Sequence, residues 1–596
     1  MGFAYASFLL GAVDSVVIAP VNNLDLGKHL LGLFLQDTWK ITRRLTLDYG
    51  VRYDYQTYLK EDQGRLAQFA PLVPNPSAGG QPGAVEFEGS GATPIGTARC
   101  NCNFANNYPF AIGPRLGVAY QITPKTVFRG GWGLVYATTG DINGANQGAL
   151  SLPNPVLAPS FGTPAMTLAS GVPFPAPPFP NYNPGQYPQS GYAGTQAPPT
   201  WYDQNAGRPA RQMQWSIGLQ RQLATNLAVE ANYVGNRGVW WNAPGMVDVN
   251  ALTPQAIAAA GLSLNNPANL QILTSPLNSP LAIANGFGKP PYAGFPTTLT
   301  VAQSLRPFPQ FSSITPLYAP DGNTWYDSLQ AKATKRFSHG LQFTTLFTWS
   351  KQFSTSAPLN TGTGTGSQAV SDVFNRSLDR WIAPYDQPFL LTVAASYTLP
   401  ALHTNKLVSW VVRNWQVNTL LGYGSGLPIL APVAQNNLNS VLLRNTTGPQ
   451  VGYADRVPGQ PLFLENLNCH CFDPNKVFVL NPAAWAEPPA GQWGTGAAYY
   501  GDYRQQRRPN ENIGLGRIFR VKERYELNVR IEFSDVFNRA EMPVPTSTNA
   551  AATQVRNSAG VPTAGFGFIA TANTGAVTNT QIPTSRQGTV VARFRF

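Results

Sequence analysis

LTLDYGVRYDY, residues 45–55, decides how the rest of the chain reads. Leu45, Leu47, Tyr49, Val51, Tyr53 and Tyr55 alternate with Thr46, Asp48, Gly50, Arg52 and Asp54. A strand sends successive side chains to opposite faces, so this stretch carries one apolar face and one charged face. Strands of soluble sheets run to about five or six residues, whereas a tilted strand crossing a bilayer needs roughly nine to eleven. Tyrosines at one end of the apolar face suit a membrane–water interface. Taken alone, the stretch also fits one long strand of a soluble sheet. Its recurrence along the chain favours the membrane.

Outward from it, residues 40–44 turn back to a strand over 30–39. Residues 1–10 read as the end of a further strand. The same alternation pairs 115–122 with 126–137, 213–221 with 227–234, 325–336 with 341–350, 389–399 with 415–423, and 513–521 with 525–537, and it returns alone at 588–596. Met213, Trp215, Ile217 and Leu219 alternate with Gln214, Ser216, Gly218 and Gln220. Tyr525, Leu527, Val529, Ile531 and Phe533 alternate with Glu526, Asn528, Arg530, Glu532 and Ser534. Within pairs most turns are short. Between pairs lie long Gly- and Pro-rich stretches, read as irregular apart from a short helix near 254–260. Short turns on one side and long loops on the other mark a transmembrane barrel. The expectation is an all-β fold: an antiparallel transmembrane β-barrel of about thirteen strands, or fourteen with the N-terminal stretch. Its loops would be extracellular and its turns periplasmic.

Composition agrees. Of 596 residues 43% are hydrophobic and only 12% charged, with 56 Gly and 53 Pro, against about a quarter charged in ordinary soluble domains. No apolar run reaches the roughly 18 residues of a membrane-spanning helix. The mean hydropathy of -0.16 does not exclude a membrane, because every second residue of a barrel strand is polar. The net charge of +12 raises nucleic-acid binding, but the basic residues do not cluster. The nearest run, Arg504, Arg507 and Arg508, sits in a loop, which favours solvation or contact with anionic lipid headgroups over nucleic acid. Residues 3–10 are apolar with no Lys or Arg before them, so no secretory signal is read there.

The polar strand face carries Asp48, Arg52, Arg129, Glu230, Glu526, Arg530 and Glu532. Near mid-bilayer each would cost a few kcal/mol on the lipid face, so these charges are expected to line a watery lumen and to pair across strands. Four cysteines form two CxC motifs, Cys100–Cys102 and Cys469–Cys471. Both fall in extracellular loops, where disulfides form; pairing within or between motifs stays open. The spacing departs from the C-x₂₋₄-C of structural zinc sites, so no metal is expected. Trp201, Tyr202, Trp240, Trp241 and Trp493 are loop aromatics able to stack on a ligand; the competing reading is that they pack the loops together or sit in the interfacial belt. No His among His29, His339, His403 and His470 falls in an HExxH motif or beside a GxSxG turn, and TGTGTG around Gly362, Gly364 and Gly366 lacks the lysine of a phosphate loop. Neither an enzyme nor a cofactor is expected.

Four segments carry a more specific likeness: LFLQDTWKITRRLTLDYGVRYDY, WSIGLQRQLATNLAVEANYVGNRG, NTWYDSLQAKATKRFSHGLQFTTLFTWSK, and ERYELNVRIEFSDVFNRAEM with the terminal ARFRF. Together they resemble the barrel of TonB-dependent outer-membrane receptors, in particular the Oar-like receptors. The resemblance implies the Gram-negative outer membrane, with its lipid and lipopolysaccharide as surroundings. It implies a barrel of 22 strands of which residues 1–596 supply the C-terminal part, and uptake of a scarce bulky nutrient such as a siderophore-like chelate or an oligosaccharide. The extracellular ligand is unknown. The barrel-assembly machinery would read Phe594 and Phe596 on the last strand. The family's plug is not placed in this sequence, which is read as a truncated receptor; TonB would be a partner only through a region preceding it. The alternatives are a passive pore, or a surface-binding protein without transport.

Overall fold

The computed structural model describes residues 4–18, 25–90, 99–138, 154–158, 160, 162–172, 182–185, 201–355, 372–400, 415–435, 438–442, 452–469, 471–521, 525–539, 542–571 and 586–596. The TGTGTG stretch, His403 and His470 lie outside them. Thirteen strands make the wall: β1 Leu30–Lys40, β2 Leu45–Gln56, β3 Ile112–Thr123, β4 Thr126–Tyr136, β5 Arg211–Ala224, β6 Leu227–Trp241, β7 Gly322–Ser338, β8 Leu341–Thr355, β9 Phe389–Thr398, β10 Trp415–Gly424, β11 Arg508–Val521, β12 Tyr525–Ser534 and β13 Gln587–Arg595. They hydrogen-bond in chain order as one antiparallel meander, paired on one side only at β1 and β13. A fourteenth strand exists, but it is not N-terminal. It is the short Arg380–Ile382, which pairs with Phe353–Thr355 at the outer end of β8. Ala4–Leu9 instead form a helix, α1. AYASFL is rich in helix formers and has no alternation of polar and apolar residues that could give a strand two faces.

The inner connections are tight because their residues suit tight turns. The Thr42 hydroxyl accepts from the backbone N–H groups of Arg44 and Leu45 between β1 and β2. His339 and Gly340, between β7 and β8, both have positive φ, 48° and 78°. That is the two-residue turn whose twist matches a hairpin. A Cβ on Gly340 would also lie 2.3 Å from the Thr398 carbonyl oxygen.

Register aligns the apolar face across the wall. Trp349, Leu329, Tyr233 and Ile217 stand at one level on β8, β7, β6 and β5. One level further out stand Lys351, Asp327, Gly235 and Trp215, and above them Phe353, Trp325, Arg237 and Met213. Several central strands outrun the sequence reading: β6 continues to Trp241, β7 starts at Gly322 and β8 ends at Thr355. They rise past the apolar band into the aqueous rim.

The long outer connections are not irregular. Ala67–Asn75 and Gln81–Phe87 pair as a hairpin inside the β2–β3 loop. The β6–β7 loop holds the expected helix, α2 Pro254–Ala259, and three more, α3 Pro267–Thr274, α4 Pro280–Ala284 and α5 Val301–Ser304. Thr253, Asn266, Ser279 and Thr300 cap them by accepting from N–H groups of their first turns, as N-cap residues do. The hydrophobic core lies here rather than in the wall. One cluster joins Trp381, Tyr453, Val479, Leu480, Trp485, Tyr503, Phe566 and Ile569 from three different loops. Another joins Leu252, Ile257, Leu273, Leu277 and Val301 to Leu438 and Leu442. Two smaller clusters centre on Tyr58 with Tyr202 and on Phe69 with Phe311. Apolar residues without strand periodicity have no lipid-facing side to occupy, so they bury against one another. The result is an extracellular cap knitted from loops far apart in sequence. Among the described residues no helix is long and apolar enough to cross a membrane, which says nothing of crossing by strands.

Candidate ligand-binding surfaces: polar face and cap

The seven charges read from the sequence all fall on the polar face, and two ion pairs on this face run along a strand rather than across it. Arg52 bonds to Asp54 at 2.8 Å and Arg530 to Glu532 at 2.7 Å, each two residues along its own strand. Glycine is the reason. Asp54 stands opposite Gly32, Arg52 opposite Gly113, Arg530 opposite Gly516, and Glu532 opposite Gly514. A bare neighbour leaves the charged side chain no cross-strand partner and leaves room to lie along the strand. Asp48 accepts from the Thr38 hydroxyl at 2.7 Å. Glu230 accepts from the Asn232 amide at 2.7 Å, between Gln220 and Lys332 in register. Arg129 is exposed opposite Gly218 and Ala119. Register sets Glu526 beside Arg595. Towards the inner turns, Gln220, Gln222, Glu230, Lys332, Thr334 and Arg336 line a polar concavity of 560 Å³.

The aromatics divide differently from the expectation. Tyr202 is buried in the cap, stacked on Phe104 at 5.5 Å and edge-on to Tyr58 at 6.0 Å. Burial pushes its phenol well above the ordinary range. It is a packing residue, as a phenol with few polar neighbours must be once the loops close on it. Trp201 is half-buried against the Phe69 cluster and Trp493 against the Leu252 cluster. Trp240 and Trp241 are not loop residues: they end β6, with Trp240 at a bulge, φ 64°, held beneath the guanidinium groups of Arg208 and Arg211. Phe594 projects from β13 and Phe596 follows just past its end, with Phe594 stacked between Tyr525 and Phe596.

Each CxC motif closes on itself as a disulfide, Cys100–Cys102 and Cys469–Cys471. Glu86 stands with Cys100 and Cys102 so that their ligand atoms lie within 4.8 Å of one another, but both sulfurs are committed to the disulfide. What reasoning from sequence missed is a buried polar knot in the cap. Asn250 donates to the carbonyls of Phe308, Phe311 and Ser312 at 2.9–3.0 Å and accepts from Phe308 N–H at 2.8 Å. Asp248 accepts from the N–H groups of Asn250 and Ile314, both at 2.9 Å, and burial pushes its carboxyl up to about 6. Arg306 ties the knot to the next loop through the Asn250 and Val441 carbonyls. The cue available in sequence was a set of polar residues flanking an apolar helical stretch, which must be bonded if buried.

A meander of two-faced strands of bilayer-crossing length, with tight turns at one end and folded loops at the other, defines the wall of an outer-membrane β-barrel. The chain belongs to the outer membrane beta barrel domain family, whose model matches residues 2–587. Its place is accordingly the outer membrane of a Gram-negative cell. Among solved structures it is similar to the ferripyoverdine receptor of Pseudomonas aeruginosa (9% identity, TM-score 0.34, covering 88% of this chain and 36% of that one). It is also similar to the FrpB iron transporter of Neisseria meningitidis (10%, 0.35, 88% and 44%) and the outer membrane transporter YddB of Escherichia coli (11%, 0.35, 91% and 52%). The chain thus spans about half or less of the length of these proteins. No curated protein matches it.

Proposed function

We propose that the chain forms wall and cap of an outer-membrane receptor that binds and takes up a scarce, bulky solute, such as a metal chelate or an oligosaccharide. The observation carrying this reading is the cap. A pore for small solutes needs no folded structure above its mouth, whereas this chain commits its whole hydrophobic core to one. Interlocked loops give a ligand a preorganised surface, which lowers the ordering cost of binding. The polar face beneath, with its short along-strand ion pairs, gives a wettable path. A passive pore built from these strands alone is disfavoured, because the meander is open at β1 and β13, and unpaired edges are costly in lipid. Energy coupling through TonB, assembly through a C-terminal Phe594/Phe596 signal and the absence of enzymatic activity belong to the same proposal.

The test uses the native protein from purified outer membranes. Saturable binding of ferric chelates or oligosaccharides, with no steady single-channel conductance in planar bilayers, is the expected result. Steady conductance without saturable binding would establish the pore instead. Partner-protein binding through the cap, with neither solute binding nor conductance, would leave a surface-binding protein.

A further inference from the structure

The two CxC disulfides share a sequence pattern but not their surroundings. Cys100 and Cys102 are half-buried and pack against the cluster around Tyr58 and Tyr202. The Glu86 carboxylate stands within 4.8 Å of both sulfurs, where it repels an approaching thiolate. Cys469 is half-buried and Cys471 is exposed. Among the described residues no carboxylate or imidazole stands with this second pair of sulfurs as Glu86 does with the first. Asp473, the next acid along, is held by the Asn475 N–H at 2.9 Å and by Lys476 at 3.6 Å. The Cys471 N–H donates instead to the Cys469 sulfur, 3.2 Å away. The chain is pinned on either side of the ring. Leu467 is buried in the cluster around Tyr453 and Tyr503, and Phe472 packs against the same cluster. The Asn468 side chain accepts from the Arg507 N–H at 2.8 Å.

These features set how each bond answers a thiol. Exchange starts with a thiolate attacking one sulfur, and its rate depends on access to that sulfur and on how readily the other one leaves. Cys471 is the accessible sulfur. Cys469 is the better leaving group, because an N–H already aimed at it stabilises the thiolate that forms. The disulfide joins residues only two apart, so it constrains the unfolded chain little, and Leu467 and Phe472 hold the fold while it is open. Asn468 also lines a concavity of 550 Å³ with Gln506, Arg507, Arg508 and Arg539. That positive surface next to the ring favours a thiol that carries carboxylates. We infer that Cys469–Cys471 is a surface exchange site for small anionic thiols, while Cys100–Cys102 is a structural link. The incoming thiolate forms a bond to the Cys471 Sγ, the S–S bond breaks, and Cys469 takes the electron pair as a thiolate. Return attack by Cys469 on the mixed disulfide releases the thiol and restores the ring, so the cycle consumes no oxidant or reductant. The inference rests on the cap alone and is independent of any uptake activity.

The experiment exposes the purified full chain, in phosphatidylcholine nanodiscs, to millimolar glutathione. Samples are quenched with N-ethylmaleimide after increasing times, digested, and read by peptide mass spectrometry. Glutathione is expected on Cys471 with maleimide on Cys469, accumulating at least about tenfold faster than any adduct at Cys100 or Cys102. Cysteamine, a cationic thiol, should react more slowly than glutathione at equal thiolate concentration. Heat-modifiable electrophoretic mobility should stay that of the folded chain throughout. Adducts forming at equal rates at the two motifs, glutathione on Cys469 in place of Cys471, or no adduct at either motif would overturn the assignment. So would adducts confined to chains whose mobility shows unfolding. Cysteamine reacting as fast as glutathione would overturn the choice of an anionic thiol.

Discussion

Placing an arginine at Ala331 or at its neighbour Gln330 should separate the two faces of the wall by on the order of a hundredfold in folding equilibrium. Ala331 lies on the apolar side of β7 between Ala231 and Phe347 in register; Gln330 lies on the polar side between Asn232 and Thr348. A lipid-facing arginine near mid-bilayer costs about 2–4 kcal/mol. Rescue by an existing acid is out of reach: Asp327 is four residues up the strand, roughly 13 Å at 3.3 Å per residue, and it already binds Tyr233. At the middle of that range, Ala331→Arg lowers the folding constant about 150-fold, since each 1.4 kcal/mol is a factor of ten. Gln330→Arg gives up a 3.2 Å bond to the Ser328 hydroxyl and otherwise enters a solvated polar row, so its cost should stay within about 0.5 kcal/mol. The assay is equilibrium unfolding in guanidinium of the full chain refolded into phosphatidylcholine vesicles, followed by tryptophan fluorescence and electrophoretic mobility. A Gln330→Arg cost equal to or above that of Ala331→Arg would refute the assignment of faces, and with it the reading of the whole meander.

Three further outcomes follow from the cap. Asp248 has its carboxyl pushed from 3.8 to about 6 by burial, so the folded state holds its proton more tightly than the unfolded chain does. The associated stability is complete below pH 4 and is lost as pH rises through 6, a change on the order of 3 kcal/mol; limited proteolysis of the cap against pH should show this decline in the wild type and a flat profile in Asp248→Asn. Tyr202→Ala should cost about 3–5 kcal/mol of cap stability by leaving a cavity beside Phe104 and Tyr58, read as earlier thermal loss of the cap. Replacing Cys469 and Cys471 by serine should cost only about 1.6 kcal/mol, the chain-entropy value for a three-residue ring. A loss near 6 kcal/mol, the value for a ring of about 370 residues, would mean that the motifs bridge the two loops instead.

The wall was legible because its physics is local. Alternation over Leu45–Tyr55 or Tyr525–Phe533 needs no partner to be read, and tight turns such as His339–Gly340 announce themselves by residue type. The cap was not, because its logic is long-range. Leu252 donates its N–H to the Leu442 carbonyl, and Gln310 donates to Pro82 and Gly83 from a different loop; no periodicity in either segment foretells the meeting. The same holds for the rim, where Arg237 and Arg380 converge on Trp325 from two other strands. On the polar face alternation alone picks out the charged residues, but not their partners. Opposite glycines, invisible until the register is known, turn the ion pairs along the strand. Tyr202 shows the limit for single aromatics, since a tyrosine in a Pro-rich loop looks the same in sequence whether it meets a ligand or a core.

Among the described residues the wall's continuous path holds thirteen strands, an odd number. Each strand of a meander reverses the one before it, so β1 and β13 point the same way. Drawn together, these two edges would form a parallel seam in an otherwise antiparallel wall, with its hydrogen bonds slanted and slightly weaker. Strands filling the gap can restore antiparallel pairing on both sides only if they come in an odd number. A whole number of hairpins cannot do it. Parity therefore constrains what can complete this wall, whichever chain supplies it.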